Sequence, residues 1–404
     1  MKKISILLLL ASLLSFTGCY QAIFEAIRED VRPEDATVSG NISSITRYTA
    51  SDTEFLVVGA DNGLRYKFKD QNEHGAWQTY QVPFQLQSFD YGSASHTGEQ
   101  IIKVLADDTT LYLITAVYDY TGSEGTSYPT TIKVWGKVIT ATDRIWDTTG
   151  DWTCIVESNP TMFPIVEDTS TGYRSTKFHY FQTNAPMKAH RAAYICTHNS
   201  DNTAFTYYKL NGTAAPSQIT IANSDIIDPN ASTESTYHPS AYSAVYFNGS
   251  IKFFASKAAS TNETYTTDAT YYYYTNNDEK LYYCNGTTEP AYINTGSKAT
   301  ISNLATCNDC ILIGYGNMLT GNSSGIKKAR LTAGVPGEML SFNTNAQFQI
   351  TSNYIVLSLV NATPEKDELE SSLYASITFA GTSYNFDNIG LWSYYPSRGN
   401  WNRE

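Results

Sequence analysis

Phe55-Leu56-Val57-Val58, then Asp61-Asn62-Gly63, then Leu64-Arg65-Tyr66-Lys67-Phe68, then Trp77-Gln78-Thr79-Tyr80 is the stretch that decides the fold. A short apolar run, an Asn-Gly turn and a second run of β-branched and aromatic residues spell a hairpin, and a third run behind a polar turn adds another strand. The unit recurs. A second copy holds Val104-Leu105, Leu111 to Val117, Ile132 to Trp135 and Trp152 to Ile155. A third runs through Ala193 to Cys196, Phe205 to Tyr208 and Ile219 to Ile221. A fourth holds Ala244 to Phe247, Ile251 to Phe254, Tyr271 to Tyr274 and Leu281 to Tyr283. Ile311 to Gly314, Ile326 to Ala329 and Glu338 to Leu340 make a fifth, and Tyr354 to Leu359, Leu373 to Phe379 and Leu391 to Trp401 a sixth. Six units across residues 38–404 give a period of about 61 residues, longer than the ~40–50 of common propeller blades. Polar hairpin tips at 122–128, 256–270 and 321–325 carry the excess.

Such a unit cannot cover its own apolar faces, and radial packing of similar sheets does. A β-helix would repeat at a shorter period, and a pair of sandwiches would not keep the unit to residue 401. The sequence therefore predicts an all-β protein, a six-bladed β-propeller over 38–404 with seven blades as the next choice. Composition agrees: 42% of the 404 residues are hydrophobic, ample for a core, and 31 are Tyr, whose ring packs while its hydroxyl reaches a polar partner. The net charge of −12 argues against nucleic acid, whose phosphates require clustered Lys and Arg.

Before the repeats comes a leader. Met1-Lys2-Lys3 is basic, Ile4 to Leu14 is apolar but too short to span a bilayer, and Ser15-Phe16-Thr17-Gly18-Cys19 follows. This segment resembles the signal peptide and lipobox of bacterial prolipoproteins, in the relaxed form of the spirochaetal ones, with Phe16 and Thr17 where Leu and Ala or Ser are commoner. The resemblance implies cleavage between Gly18 and Cys19, a diacylglycerol on the Cys19 sulfur, and a place in the bacterial cell envelope. The membrane partner would then be reached through acyl chains, since loss of residues 1–18 makes the chain still more acidic. Residues 19–37 read as a tether, with Ile23, Phe24, Ile27 and Val31 at helical spacing and Pro33 as the stop. Leader and repeats together resemble the β-propeller lipoproteins of spirochaetes; the Trp-Asp, Asp-box and quinoprotein-type blade signatures of other propellers are absent.

Chemical motifs are sparse. Cys307-Asn308-Asp309-Cys310 has the spacing of a redox pair, but Ile311-Leu312-Ile313 behind it reads as a strand where a thioredoxin-like site opens a helix. Cys307 and Cys310 are thus a candidate disulfide or two reduced turn thiols. No His pair has metal-ligand spacing, and no cofactor motif is legible. Asp61, Asp90, Asp107, Asp108 and Glu157 are candidate acids only because they fall near strand ends, and Glu365 to Glu370 reads as a solvated tip. Tyr271, Tyr272, Tyr273 and Tyr274 are candidate ligand contacts, though alternation also fits them to packing between blades. The expected function is a lipid-anchored, non-catalytic propeller presenting loops to a protein or glycan partner. The alternatives are a carbohydrate-active hydrolase or lyase with acids at the propeller channel, and an envelope-assembly scaffold.

Overall fold

β-branched and aromatic residues are frequent from Ile42 onward, and among the described residues they form strands. A computed structural model describes Val38, Gly40 and residues 42–50, 53–60, 63–68, 76–84, 97–119, 128–138, 152–167, 174–183, 191–199, 204–221, 226–227, 241–247, 250–255, 266–267, 272–274, 280–284, 291–294, 301–315, 325–342, 354–364, 366–379 and 389–404. The signal sequence, Gly18, Cys19, the tether, Asp61, Asp90 and Tyr271 lie outside the described residues.

The first sheet is β1 (Ile42–Ala50), β2 (Thr53–Ala60), β3 (Gly63–Phe68) and β4 (Gln78–Tyr80), antiparallel and in chain order. The second is β5 (Thr97–Ala106), β6 (Thr110–Asp119), β7 (Tyr128–Val138) and β8 (Thr153–Glu157). A small ribbon of β9 (Ile165–Glu167) and β10 (Arg174–Thr176) precedes the third four-stranded sheet: β11 (Phe178–Gln182), β12 (Ala193–His198), β13 (Phe205–Asn211) and β14 (Ala214–Ile219). Next come β15 (Ile226–Ile227), β16 (Ala241–Phe247) and β17 (Ser250–Ala255), where β15 runs parallel to β17. A separate sheet holds β18 (Thr266–Thr267), β19 (Tyr272–Tyr274), β20 (Lys280–Cys284) and β21 (Ala291–Asn294). The last two sheets are β22 (Ile301–Thr306), β23 (Cys310–Tyr315), β24 (Gly325–Thr332) and β25 (Val335–Ser341), then β26 (Tyr354–Asn361), β27 (Leu373–Phe379), β28 (Gly390–Tyr395) and β29 (Asn400–Arg403).

The residues grouped by sequence as a fourth unit are therefore divided between two sheets, β16–β17 in one and β19–β20 in the next. The first strands β1, β11 and β22 also escaped the sequence pattern. Ile42-Ser43-Ser44-Ile45-Thr46-Arg47-Tyr48 shows why for β1: its polar residues are bonded to neighbouring sheets, Ser44 Oγ accepting from Val104 N at 2.7 Å and Thr46 Oγ1 accepting from Gln182 Nε2 at 3.2 Å.

Each sheet has an inner and an outer side. β12 and β23 are buried at every position, whereas β14 and β21 are largely exposed. Strand alternation sends successive residues of one strand into two different cores. Phe55 and Val57 of β2 pack with Leu111 and Leu113 of β6, while Leu56 and Val58 pack with Tyr374 and Leu391 of the last sheet. In β6, Leu111 and Leu113 face the first sheet, and Tyr112 and Ile114 face Phe178 and Ile195 of the third. One edge strand of each three- or four-stranded sheet lies beside that of the next in sequence order: β1 beside β5, β5 beside β11, β11 beside β16, β16 beside β18, β18 beside β22, β22 beside β26, and β26 beside β1.

Much of the Tyr excess is packing. Tyr48, Tyr66, Tyr80, Tyr112, Tyr194 and Tyr315 are fully buried. The junction of first and last sheets is built on one cation. Lys67 Nζ donates to Tyr395 Oη at 2.8 Å and to Glu404 Oε2 at 3.1 Å, and it lies 5.4–5.8 Å from the ring centroids of Trp77, Tyr374 and Tyr395. Trp77 Nε1 and Ser393 Oγ also donate to the Glu404 carboxylate. In the stretch read as a solvated tip, Lys366, Asp367, Leu369 and Glu370 are exposed as expected, and Glu368 departs from it. Glu368 opens a short 3-10 turn, is buried, and pairs with Lys328 of β24 rather than with water.

Candidate active site

Register across the second sheet brings distant acids together. Glu99 of β5 stands opposite Val117, two residues from Thr115; Thr115 pairs with Lys133 of β7, and Lys133 pairs with Glu157 of β8. A polar row therefore crosses all four strands, starting on β5, the strand that lies beside β1 and β11.

The row is wired through one ammonium. Lys133 Nζ lies 3.2 Å from Glu99 Oε2 and 3.2 Å from Glu157 Oε1. Two contacts of 3.2 Å to one nitrogen hold the two carboxylate oxygens no farther apart than the sum of those contacts, a pairing of the close kind that retaining glycoside hydrolases use at about 5–5.5 Å. The two acids differ in setting: the Glu99 side chain is 9% exposed and the Glu157 side chain 60%. Glu99 is fixed further by Trp135 Nε1, which donates to Oε1 at 3.0 Å, and by the Thr115 hydroxyl. The indole of Trp135 lies 5.6 Å from Lys133 Nζ and packs against Phe84. Burial pulls the Lys133 ammonium down, but hydrogen bonds to Glu157 and Glu99 outweigh it and hold the group above the ordinary lysine range. Cys154, opposite Trp135 in the ladder, is largely exposed yet partly desolvated; that and the Glu157 charge push its thiol up, so it is not an activated nucleophile.

Of the acids nominated by position, Asp107, Asp108 and Glu157 are among the described residues, and of these Glu157 joins this group. Asp107 is a turn cap: Oδ1 accepts from Thr109 N at 2.8 Å and Thr110 N at 2.7 Å, and Oδ2 accepts from Tyr112 Oη. Burial raises the Asp107 carboxyl against the lowering effect of these bonds. Tyr112 Oη in turn accepts from Gly212 N at 2.7 Å, tying the second sheet to the third. Asp108 sits in the same turn. Tyr272, Tyr273 and Tyr274 form β19, paired with Cys284, Tyr283 and Tyr282. Cys307 and Cys310 flank the β22–β23 turn as buried, unjoined thiols.

Glu99 was missed by sequence reasoning because no local motif marks it; its partners come from cross-strand register. A second charged group lies at the β1–β2 turn, where Arg47 and Arg191 share Glu54, and Arg191 Nη1 donates to Thr49 Oγ1 at 3.0 Å. Burial and the neighbouring Arg47 depress Arg191 to about 10. Among the described residues, no group of three or more His, Cys, Asp or Glu could hold a metal ion.

No protein-family model and no curated protein matches the chain. Among solved structures it is similar to an exo-β-1,3-galactanase from Phanerochaete chrysosporium with galactose, at 9% identity and TM-score 0.32, covering 91% of this chain and 67% of that one. A puromycin hydrolase S511A mutant complexed with PGG matches at 8% identity and TM-score 0.35, over 92% of this chain and 47% of that one. AofleA from Arthrobotrys oligospora matches at 8% identity and TM-score 0.37, over 91% and 86%. The expectation of a non-catalytic binding propeller is corrected at this point in favour of its alternative, a hydrolase with paired acids, because the second sheet carries a lysine-bridged carboxylate pair. The activities and ligands of those proteins remain their own.

Proposed function

We propose that this chain is a glycan-acting hydrolase of the bacterial envelope, built on a closed ring of seven sheets and held to the membrane through Cys19. The observation that carries the activity is the pair Glu99 and Glu157 on one lysine, one buried and fixed, the other exposed. Glycoside cleavage needs two carboxylates with different tasks. Glu99, oriented by three donors, supplies fixed negative charge at the developing oxocarbenium, as nucleophile or as base toward water. Glu157 reaches solvent and gives a proton to the leaving oxygen, and where Glu99 is the nucleophile it takes one back from the incoming water. Lys133 sets their spacing, and Trp135 offers an aromatic face beside them.

Seven-fold closure is supported by the order in which these edge strands lie beside one another, returning from β26 to β1, and by the division of the Tyr-rich fourth repeat into two sheets. The envelope address rests on the leader and its lipobox.

The deciding experiment is a screen of the purified, folded protein against polymeric and aryl glycosides, with reducing-end release as the readout. Turnover that falls in Glu157→Gln on substrates with poor leaving groups is the expected result. A folded protein that cleaves none of them refutes the hydrolase reading. For the address, Cys19→Ala is expected to move the protein from the membrane fraction to the soluble one; unchanged partitioning would refute the anchor.

A further inference from the structure

Two turns of this protein are built alike. In the second sheet, Asp107-Asp108-Thr109-Thr110 joins β5 to β6, with Asp107 N donating to Thr110 O at 3.0 Å. In the sheet of β22–β25, Cys307-Asn308-Asp309-Cys310 joins β22 to β23, with Cys307 N donating to Cys310 O at 2.8 Å. The Asp107 carboxylate pins the first turn by accepting two backbone N–H groups. Cysteine cannot do this, and the second turn has instead a thiol on each flank.

We propose that Cys307 and Cys310 form a disulfide that staples the β22–β23 turn. Thr306 pairs with Ile311, so Cys307 and Cys310 are the next cross-strand pair and directly opposed. Opposed, hydrogen-bonded antiparallel residues have Cα atoms about 5.5 Å apart, inside the ~4.4–6.8 Å span of disulfides. Both side chains enter the same core, with Leu312, Leu373 and Trp401. The backbone spacing of an opposed, hydrogen-bonded pair therefore suits an Sγ–Sγ bond.

The turn is worth stapling because of what it holds. Asn308 N donates to Lys366 O at 2.8 Å, and Asn308 Nδ2 to Asp367 Oδ1 at 3.1 Å. Asp309 Oδ1 accepts from Glu368 N at 2.9 Å, and Asn361 Nδ2 donates to Cys307 Sγ at 3.5 Å. These contacts join the turn to the β26–β27 connection of the neighbouring sheet, and they also cover the sulfurs. Glu368 Oε2 is buried there with no hydrogen-bond partner, which leaves a carboxylate oxygen beside the thiols. The cost of thiolate formation in that setting suits a bond made once during folding, before the connection docks, and not a catalytic couple.

Formation needs a disulfide oxidant, here oxidised glutathione. One cysteine thiolate attacks it and expels a glutathione thiolate; the other attacks the mixed disulfide and expels the second. The chain loses two protons and two electrons, and the oxidant becomes two thiols.

The test is refolding of the reduced, unfolded chain in oxidised glutathione, followed by denaturation, alkylation and peptide mapping. The expected product is a peptide two hydrogens lighter in which Cys307 and Cys310 are unalkylated. Native reduced protein given the same oxidant should react about tenfold more slowly or worse, because the sulfurs are covered. Full alkylation of both residues after refolding, or a stable glutathione adduct on one, overturns the proposal. Cys307→Ser/Cys310→Ser should melt with the reduced protein and below the oxidised one; equal melting of all three overturns the stapling role. The readout does not depend on glycan hydrolysis or on the cellular address.

Discussion

Lys67→Met lowers the stability of the folded protein by about 3–5 kcal/mol, the cost of removing one partner of a buried ion pair. The Lys67 side chain is 2% exposed and that of Glu404 8%, so the carboxylate left behind has little access to water. Met keeps most of the packing volume and can still touch the three rings, so the loss reports the charge and not a cavity. Trp77 Nε1 and Ser393 Oγ remain on Glu404 but do not neutralise it. Lys67→Met/Glu404→Gln should recover most of the loss, because no buried charge is then left alone. Urea unfolding followed by Trp fluorescence reads both effects. A single variant within about 0.5 kcal/mol of the parent, the range of ordinary surface changes, would show that the first and last sheets are held by apolar packing alone.

Glu99→Gln lowers kcat by about 10²–10⁴-fold, the usual contribution of a positioned acid or base, with KM little changed. Leaving-group dependence separates the two acids. A substrate whose leaving group departs without a proton should restore much of the activity of Glu157→Gln and none of that of Glu99→Gln. The amide also turns a donor toward Lys133 or Trp135, so thermal melting of the variant must accompany the kinetics. Loss of activity in a variant that melts with the parent assigns Glu99 to the chemistry. Loss that tracks a lower melting temperature assigns it to the charged row that crosses the sheet.

The strand-rich character was legible because two-sided burial in second strands leaves continuous apolar runs such as Phe55 to Val58 and Ile311 to Ile313. The division of the fourth repeat was not. β18 and β19 span two and three residues, too few for alternation to register, and the Tyr residues of β19 resemble those of β20. β1 was hidden for another reason: Ser44 and Thr46 are polar in sequence and buried in the fold, satisfied by Val104 and Gln182 from other sheets. The acid pair failed to show for the same cause. Glu157 could be placed near a strand end, but Glu99 acquires meaning only when β5, β6, β7 and β8 are in register. Glu368 misled in the opposite direction, since a run of charges reads as solvated until Lys328 and Arg330 are found beside it.

The clasp on Lys67 has a consequence for synthesis. Lys67 and Glu404 are 337 positions apart. At about 5–20 residues per second, the ribosome needs roughly 17–67 s to supply the second after the first. Throughout that interval the ammonium has no carboxylate and its three-ring cage is incomplete, because Tyr374 and Tyr395 also arrive late. The seam between first and last sheets is therefore the last to be sealed, and the nascent first sheet must be kept from premature partners until it is.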